Sequence, residues 1–116
     1  MIILLICPGL LIKSFNFDTN SSITVGSDYS CDIVINYPFI SPIHCTFILM
    51  CDDREFYYLL WDGAVIKKKH SITGTWVNDN PVLNNYRVKN KDRIYFHEEV
   101  DNLYLILLED ESINGG

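Results

Sequence analysis

The stretch that decides the fold reads Ser71-Ile72-Thr73-Gly74-Thr75-Trp76-Val77-Asn78, and it has a counterpart in Ser41-Pro42-Ile43-His44. Both stretches place small hydroxyl residues between short apolar runs. Gly74 permits a positive φ angle that a side chain would resist. Hydroxyl and amide groups in such loops can bind a phosphate oxygen or a peptide backbone by hydrogen bonds. The two stretches therefore predict a site that binds a ligand and does not transform it.

Short runs of β-branched and aromatic residues fill most of the chain, and turn residues separate them. Residues 44–51 and 55–61 are predicted to be the two strands of a hairpin. Residues 78–81 are predicted as a loop and Asn84-Asn85 as a turn. No window shows the 3.6-residue apolar period of an amphipathic helix. The pattern predicts an all-β sandwich or barrel of about ten or eleven mostly antiparallel strands.

Composition and charge limit the kinds of partner. The chain has 116 residues, of which 48% are hydrophobic, and a net charge of −6. This predicts one domain over residues 1–108 and a flexible polar tail at residues 109–116. A nucleic-acid partner is not expected, because phosphate contacts call for a basic face. A membrane segment is not expected, because Pro8-Gly9 ends the apolar N-terminal run before it could span a bilayer.

The cysteines indicate a reducing environment. Cys7, Cys31, Cys45 and Cys51 form no C-x-x-C pair, and no histidine lies at the spacing of a zinc site. They are interpreted as buried free thiols, which predicts a cytoplasmic protein. No metal and no other cofactor is expected.

The chain lacks the sequence patterns of common catalytic sites. Ser41 and His44 lie close together, but no G-x-S-x-G elbow contains the serine. No glycine-rich nucleotide motif occurs. Acidic pairs such as Asp52-Asp53 lie in predicted turns. They are interpreted as solvent-exposed charges and not as a general acid–base pair. The sequence predicts that the protein is not an enzyme, with a Ser/His hydrolase as the alternative of a different class.

The loop stretches belong to an ordered series that resembles the forkhead-associated (FHA) domain. The family pattern runs Gly-Arg, Asp-Ile, Ser-Arg-x-His, Ser-x-Asn-Gly-Thr-x-Val-Asn and Gly-Asp-x-Ile. This chain has Gly26-Ser27, Asp32-Ile33, residues 41–44, residues 71–78 and Lys91-Asp92-Arg93-Ile94 in the same order. The resemblance implies an FHA-like β-sandwich. It also implies a non-catalytic protein-interaction module that recognises phosphothreonine peptides in signalling.

The resemblance assigns roles to individual residues. It implies that Gly26 and His44 hold the binding loops in place, that the Ser41 hydroxyl contacts phosphate, and that Asn78 holds the peptide backbone. The full set implied to bind the phosphopeptide is Ser27, Ser41, Thr73, Gly74, Thr75 and Asn78.

Three positions depart from the family pattern at the phosphate site. The family's phosphate-binding arginine is Ser27 here, the residue after the loop serine is Pro42, and the asparagine before the glycine is Thr73. A charge-assisted contact contributes about 1.5–3 kcal/mol. Losing one or two such contacts weakens phosphate binding by roughly tenfold to several thousandfold.

Two interpretations of the binding function follow. In the first, the domain binds phosphothreonine peptides, and a basic run supplies the positive charge of the missing arginine. Lysine acts there as a point charge and cannot make the two parallel hydrogen bonds of a guanidinium. That run is Lys67, Lys68, Lys69 and His70. In the second, a degenerate domain binds a protein, or a second copy as a homodimer, without phosphate. Its candidate anchors are the aromatic residues Tyr57, Tyr58, Trp61 and Trp76, about half of which should face the core by strand alternation.

Overall fold

The structure is a computed structural model that describes residues 1–9, 11–18, 20–53, 55–65 and 68–109. Within these residues the secondary structure is entirely β. Eleven strands are numbered in chain order: β1 Ile2–Cys7, β2 Leu11–Asn16, β3 Ser22–Gly26, β4 Ile33–Val34, β5 Cys45–Asp52, β6 Glu55–Asp62, β7 Trp76–Val77, β8 Asn80–Pro81, β9 Asn85–Arg87, β10 Arg93–Tyr95 and β11 Tyr104–Leu108. The described residues contain no helix with the length and apolar character needed to cross a membrane.

The strands form two sheets. The six-stranded sheet has the order β2-β1-β11-β10-β7-β8, and the five-stranded sheet has the order β4-β3-β5-β6-β9. Neighbouring strands are antiparallel, except that β3 and β4 run parallel. The prediction of an all-β, mostly antiparallel sandwich of about eleven strands is confirmed.

The core lies between the sheets because apolar side chains alternate along the strands that face each other. In β1, Ile3 and Leu5 are buried, and in β11 Leu105 and Leu107 are buried. The opposite sheet contributes a matching set to the same cluster: Ile23, Val25, Phe47 and Leu60. This packing holds the ends of β3, β5 and β6 in fixed positions, and the loops at those ends form the site.

The β5–β6 hairpin sets the position of the site most directly. It is the longest pairing, with register from Asp52 opposite Glu55 to Cys45 opposite Asp62. A one-residue shift would turn every side chain of a strand to the other face. The register therefore places Asp62 directly opposite Cys45, the residue that follows His44.

The structure corrects two local predictions. Residues 78–81 were expected to form a loop, yet Asn80–Pro81 forms β8 at the edge of the sheet, where proline's missing N–H is tolerated. The segment after the Asn84-Asn85 turn was given no strand, yet Asn85–Arg87 pairs with β6. Both strands are too short to show a period, and the partner of Asn85–Arg87 is distant in sequence, since this strand pairs with β6.

All four cysteines are free, as predicted. Cys31 and Cys45 are buried, and burial raises the pKa of the Cys45 thiol well above its ordinary value. Cys51 is exposed, so the expectation of burial is wrong there, because Cys51 lies near the open tip of the β5–β6 hairpin. Of the predicted tail at residues 109–116, residues 110–116 lie outside the described residues.

Candidate functional site

His44 joins the two loop stretches from which the site was predicted. Its ring is fully buried. The backbone N–H of Ser41 donates to Nδ1 at 3.1 Å, so the ring proton of the neutral imidazole is on Nε2. Nε2–H then donates to the carbonyl oxygen of Gly74 at 2.7 Å. One side chain thus pairs a polar backbone group of each loop.

Burial also fixes the protonation state of this ring. It lowers the pKa of His44 below the ordinary value, and it outweighs the opposing effects of the Gly74 carbonyl and the Asp62 carboxylate. The ring packs edge-on against Phe96, with centroids 5.2 Å apart. The neutral form is the form that can both accept from Ser41 and donate to Gly74.

Gly26 lets the first turn pack directly on the Ser41 loop. A Cβ atom at this position would lie 2.0 Å from the carbonyl oxygen of Pro42, so any side chain would displace the backbone. The Ser27 N–H donates to the Ser41 carbonyl at 3.1 Å, and the Asp28 N–H donates to the Pro42 carbonyl at 3.2 Å. Ser27 is therefore placed beside the loop of Ser41, as the resemblance implied.

The hydroxyl of Ser41 links the same two loops a second time. Ser41 is 7% exposed, and its Oγ accepts the backbone N–H of Ile72 at 3.0 Å. Within the described part of the chain, no acceptor takes the hydroxyl proton. That proton is available for a ligand oxygen.

Asp62 organises the second loop, a role that the sequence analysis did not assign to it. Its side chain is only 9% exposed. The carboxylate accepts the Ser71 hydroxyl, the Ser71 N–H at 3.3 Å and the Thr75 hydroxyl at 2.8 Å. His70 Nδ1 lies 3.3 Å from it. The only signal in the sequence was an acid at the end of an apolar strand that precedes loop hydroxyls.

Two of the hydroxyls predicted to bind the ligand make hydrogen bonds within the protein. Thr75 is 2% exposed and gives its hydroxyl proton to Asp62, and its contact with a ligand stays a prediction. The Thr73 hydroxyl donates to the Phe96 carbonyl at 2.7 Å. Both side chains hold the loop in shape.

Gly74 has the positive φ angle that the sequence predicted, at 93°. A Cβ atom there would also lie 2.9 Å from the ring of Trp76. Gly74 thus serves the loop through its backbone, and its carbonyl is the acceptor for His44.

Asn78 directly follows β7, and its side chain connects that strand to β10. Its φ is 55°, and its side-chain oxygen accepts the Arg93 N–H at 3.2 Å while its NH2 group donates to Asp92 at 3.2 Å. A role in holding a peptide backbone stays a prediction for this residue.

The loops enclose a cleft of about 160 Å³. Ser41 and Ile72 line it together with two residues of the basic run, Lys69 and His70, and Asp28 lies on its rim. Lys68 lines a different pocket, and Lys67 lies outside the described residues. A larger groove of about 730 Å³ lies elsewhere, and two of the candidate aromatic anchors, Tyr57 and Tyr58, line it, whereas none of the residues predicted to bind the phosphopeptide does.

The comparison with known families decides the identity of the fold. The FHA domain family matches residues 23–97. The chain belongs to the FHA domain family. The match contains both loop stretches and the cleft between them, and it confirms the prediction of an FHA-type protein-interaction module.

Similar proteins include a curated relative and several solved structures. The DNA damage response protein kinase Dun1 of Saccharomyces cerevisiae is 31% identical over 88 residues, which is 74% of this chain and 17% of that protein. This chain therefore spans about a sixth of the length of that relative.

Three solved structures illustrate the similarity in fold. The yeast Dun1 FHA domain, in complex with a doubly phosphorylated peptide, is 26% identical, with a TM-score of 0.65 over 90% of this chain and 70% of that one. The N-terminal FHA domain of S. cerevisiae Rad53, with a phosphothreonine peptide, is 22% identical, with a TM-score of 0.70 over 99% and 98%. The Slr1951 protein of Synechocystis is 19% identical, with a TM-score of 0.76 over 94% and 97%.

Replacing His44 with alanine should destabilise the domain by about 2–4 kcal/mol, because the Ser41 N–H and the Gly74 carbonyl lose their partner inside the protein. Urea unfolding followed by circular dichroism measures the loss. His97→Ala is the matched control, since His97 accepts the Glu99 N–H in an exposed turn and packs edge-on against the half-buried Phe39 without joining two loops, and it should lower stability by about 1 kcal/mol or less. Equal losses in the two variants would contradict the special role of His44.

The same histidine should make stability depend on pH. The unfolded chain has a histidine pKa of about 6.5, and burial lowers the pKa of His44 in the folded state. The contribution of His44 to the free energy of unfolding is fully present above pH 6.5. It decreases as the pH falls from 6.5 to the lowered pKa of the folded state, because the unfolded state binds more protons in that range. An NMR titration of the ring protons should give His44 a midpoint below 6.5. A midpoint above 6.5 would show that the ring is charged in the fold.

Proposed function

We propose that the domain binds phosphothreonine peptides without catalysing a reaction, with the phosphate in the cleft between the Ser41 loop and residues 69–72. The observation that carries the proposal is that Ser41, Lys69 and His70 line one cleft. Two FHA relatives were solved with phosphorylated peptides, which supports the same ligand class here. The cytoplasmic location and the expected lack of nucleic-acid and membrane partners stay predictions.

The available proton of Ser41 fits a phosphate oxygen. Since its Oγ already accepts the Ile72 N–H, the hydroxyl is oriented, and its proton can be donated to an anion. Hydrogen bonds to charged acceptors are shorter and stronger than neutral ones. An oriented donor of this kind favours an anionic ligand over a neutral one.

Positive charge at the cleft comes from a different place than in the family pattern. The family arginine is Ser27 here, and Ser27 is not among the residues that line the cleft, whereas Lys69 and His70 are. A lysine ammonium acts as a point charge and lacks a bidentate fork. Asp28 on the rim opposes part of this charge. We therefore expect phosphate binding that is weaker than an arginine site would provide.

Replacing Lys69 with alanine should weaken the binding of a phosphothreonine peptide by about 10- to 100-fold, the effect of losing one charge-assisted contact. The hairpin should persist, because Lys69 pairs with Ala64 through backbone atoms. The peptide would be selected from a phosphothreonine library and titrated by calorimetry.

Lys68→Ala is the matched control for this experiment, since it removes the same charge one residue away but lies outside the cleft. It should change affinity less than threefold, roughly the effect of a screened surface charge. Equal binding of phosphorylated and unphosphorylated peptides would overturn the proposed function. Equal losses in the two variants would overturn the assignment of Lys69.

Restoring the family's charge should have the opposite effect. Ser27→Arg should strengthen phosphopeptide binding by about tenfold, because it adds a guanidinium beside the Ser41 loop. The backbone bond from residue 27 to the Ser41 carbonyl does not depend on the side chain. Ser30→Arg adds the same charge in the same turn, and its gain should be smaller. A gain of the same size would indicate a general charge effect and not a contact in the cleft.

A further inference from the structure

The side of the six-stranded sheet that faces away from the core carries apolar side chains where a sandwich usually presents polar ones. The inward positions of β1 and β11 are buried, and the outward positions between them are half-buried. All six outward positions of these two strands are aliphatic or aromatic: Ile2, Leu4, Ile6, Tyr104, Ile106 and Leu108. An antiparallel sheet with one face in water normally alternates apolar and polar residues. This side therefore has the composition of a surface that another molecule covers.

The strand register joins these side chains into one patch. Residues that lie opposite each other in neighbouring strands share a face of the sheet. Leu4 lies opposite Ile106, and Ile106 lies opposite Arg93. The next row crosses four strands and consists of Ile6, Tyr104, Tyr95 and Trp76. We call the outward side of β2, β1, β11, β10 and β7 the outer face.

Charge is nearly absent from the outer face. Arg93 is the one charged side chain that the strands of this sheet, all of them described by the structure, place there, and its guanidinium lies 4.9 Å from the centre of the Tyr104 ring. The outward side of the other sheet is more mixed, since the row through Ile48 and Leu59 ends in Ser22 and Arg87. The outer face is therefore the better candidate for a docking surface.

Acidic residues border the outer face at one end. A pocket of about 250 Å³ is lined by Trp76 and Tyr95 of the face and by three acids. These acids are Asp79, Glu98 and Asp101, and all three are exposed. A surface that holds both a cation and acids can complement a copy of itself, because in a two-fold interface every contact occurs twice with the partners exchanged.

We propose that the outer face binds a second copy of this chain, so that two domains form a symmetric dimer with Arg93 of each copy near the acidic rim of the other. The apolar centre supplies the driving force, and the charges fix the orientation. The residues that line the cleft, such as Ser41 and Lys69, lie outside the outer face. Both clefts stay open in the dimer, and the inference does not depend on what they bind.

The size of the outer face indicates a dimer that dissociates readily. With a rise of about 3.3 Å per residue and a strand spacing of about 4.8 Å, its five strands cover roughly 350 Å² in flat area. An apolar patch of a few hundred Å² is often functional, whereas a stable dimer buries about 800 Å² on each partner. The net charge of −6 on each copy opposes association, although physiological salt screens charges beyond about 8 Å. We therefore expect a dissociation constant of roughly 10–100 μM.

Sedimentation velocity of the full chain tests the dimer. At about 0.15 M salt and from about 1 to 500 μM protein, which brackets the expected affinity, the mean mass should rise from that of one chain towards that of two. Ile106→Thr should weaken the dimer at least about tenfold, because apolar area is lost from both copies. Threonine suits a strand, so the sheet should persist.

Ile48→Thr is the matched control, because it makes the same substitution at a half-buried outward position of the five-stranded sheet. It should leave the affinity of the dimer unchanged. A mass that stays that of one chain over the whole range would overturn the proposal. Equal weakening by the two variants would overturn the outer face as the interface. Neither outcome bears on phosphothreonine binding.

A charge reversal keeps the inference testable if Ile106→Thr does not fold, which urea unfolding would show. Arg93 is exposed, so Arg93→Glu should fold, and it should weaken the dimer about tenfold because like charges then meet twice across the interface. Lys13→Glu is its control, since Lys13 is exposed and lies opposite the buried Leu5, on the other side of the sheet. It should have a smaller effect. Equal effects of the two reversals would indicate net charge alone and would overturn the proposed orientation.

Discussion

The arrangement of the site depends on one buried imidazole. His44 accepts from the Ser41 N–H and donates to the Gly74 carbonyl, so it links two loops that start from different strands. Among the described residues, neither the Ser41 N–H nor the Gly74 carbonyl pairs with the backbone of a neighbouring strand. A polar backbone group left unpaired inside a protein is strongly unfavourable. The ring can serve both loops only when it is neutral, and burial lowers its pKa in the direction that keeps it neutral. Folding and site geometry are therefore coupled through a single protonation state.

The contacts of Asp62 follow from the same register. Because the β5–β6 pairing sets Asp62 opposite Cys45, the carboxylate faces the loop that His44 reaches from the other strand. Its bonds to Ser71 and Thr75 engage two loop hydroxyls, one of which, that of Thr75, the resemblance assigned to a ligand. The loop therefore offers the ligand fewer side-chain donors than its composition suggests, and the oriented Ser41 hydroxyl becomes correspondingly more important.

The sequence predicted features that depend on local chemistry. The alternating apolar residues of β1 and β11, the β5–β6 hairpin and the positive φ of Gly74 all follow from residue type and spacing. The short β9, the burial of Thr75 and the network around Asp62 do not, because each depends on which distant segment lies beside it. The family resemblance placed Ser27 and Ser41 next to each other, as the structure does, yet it could not show which lysine of the basic run reaches the cleft.

Moving the positive charge from residue 27 to Lys69 changes how that charge is held at the site. An arginine after Gly26 would belong to a turn that packs tightly against Pro42, and it would act on phosphate alone. Lys69 and His70 instead line both the cleft and a second, mainly apolar pocket. Two backbone hydrogen bonds between Ala64 and Lys69 hold this segment in place, so the conformational entropy lost when a phosphate binds is mainly that of the lysine side chain.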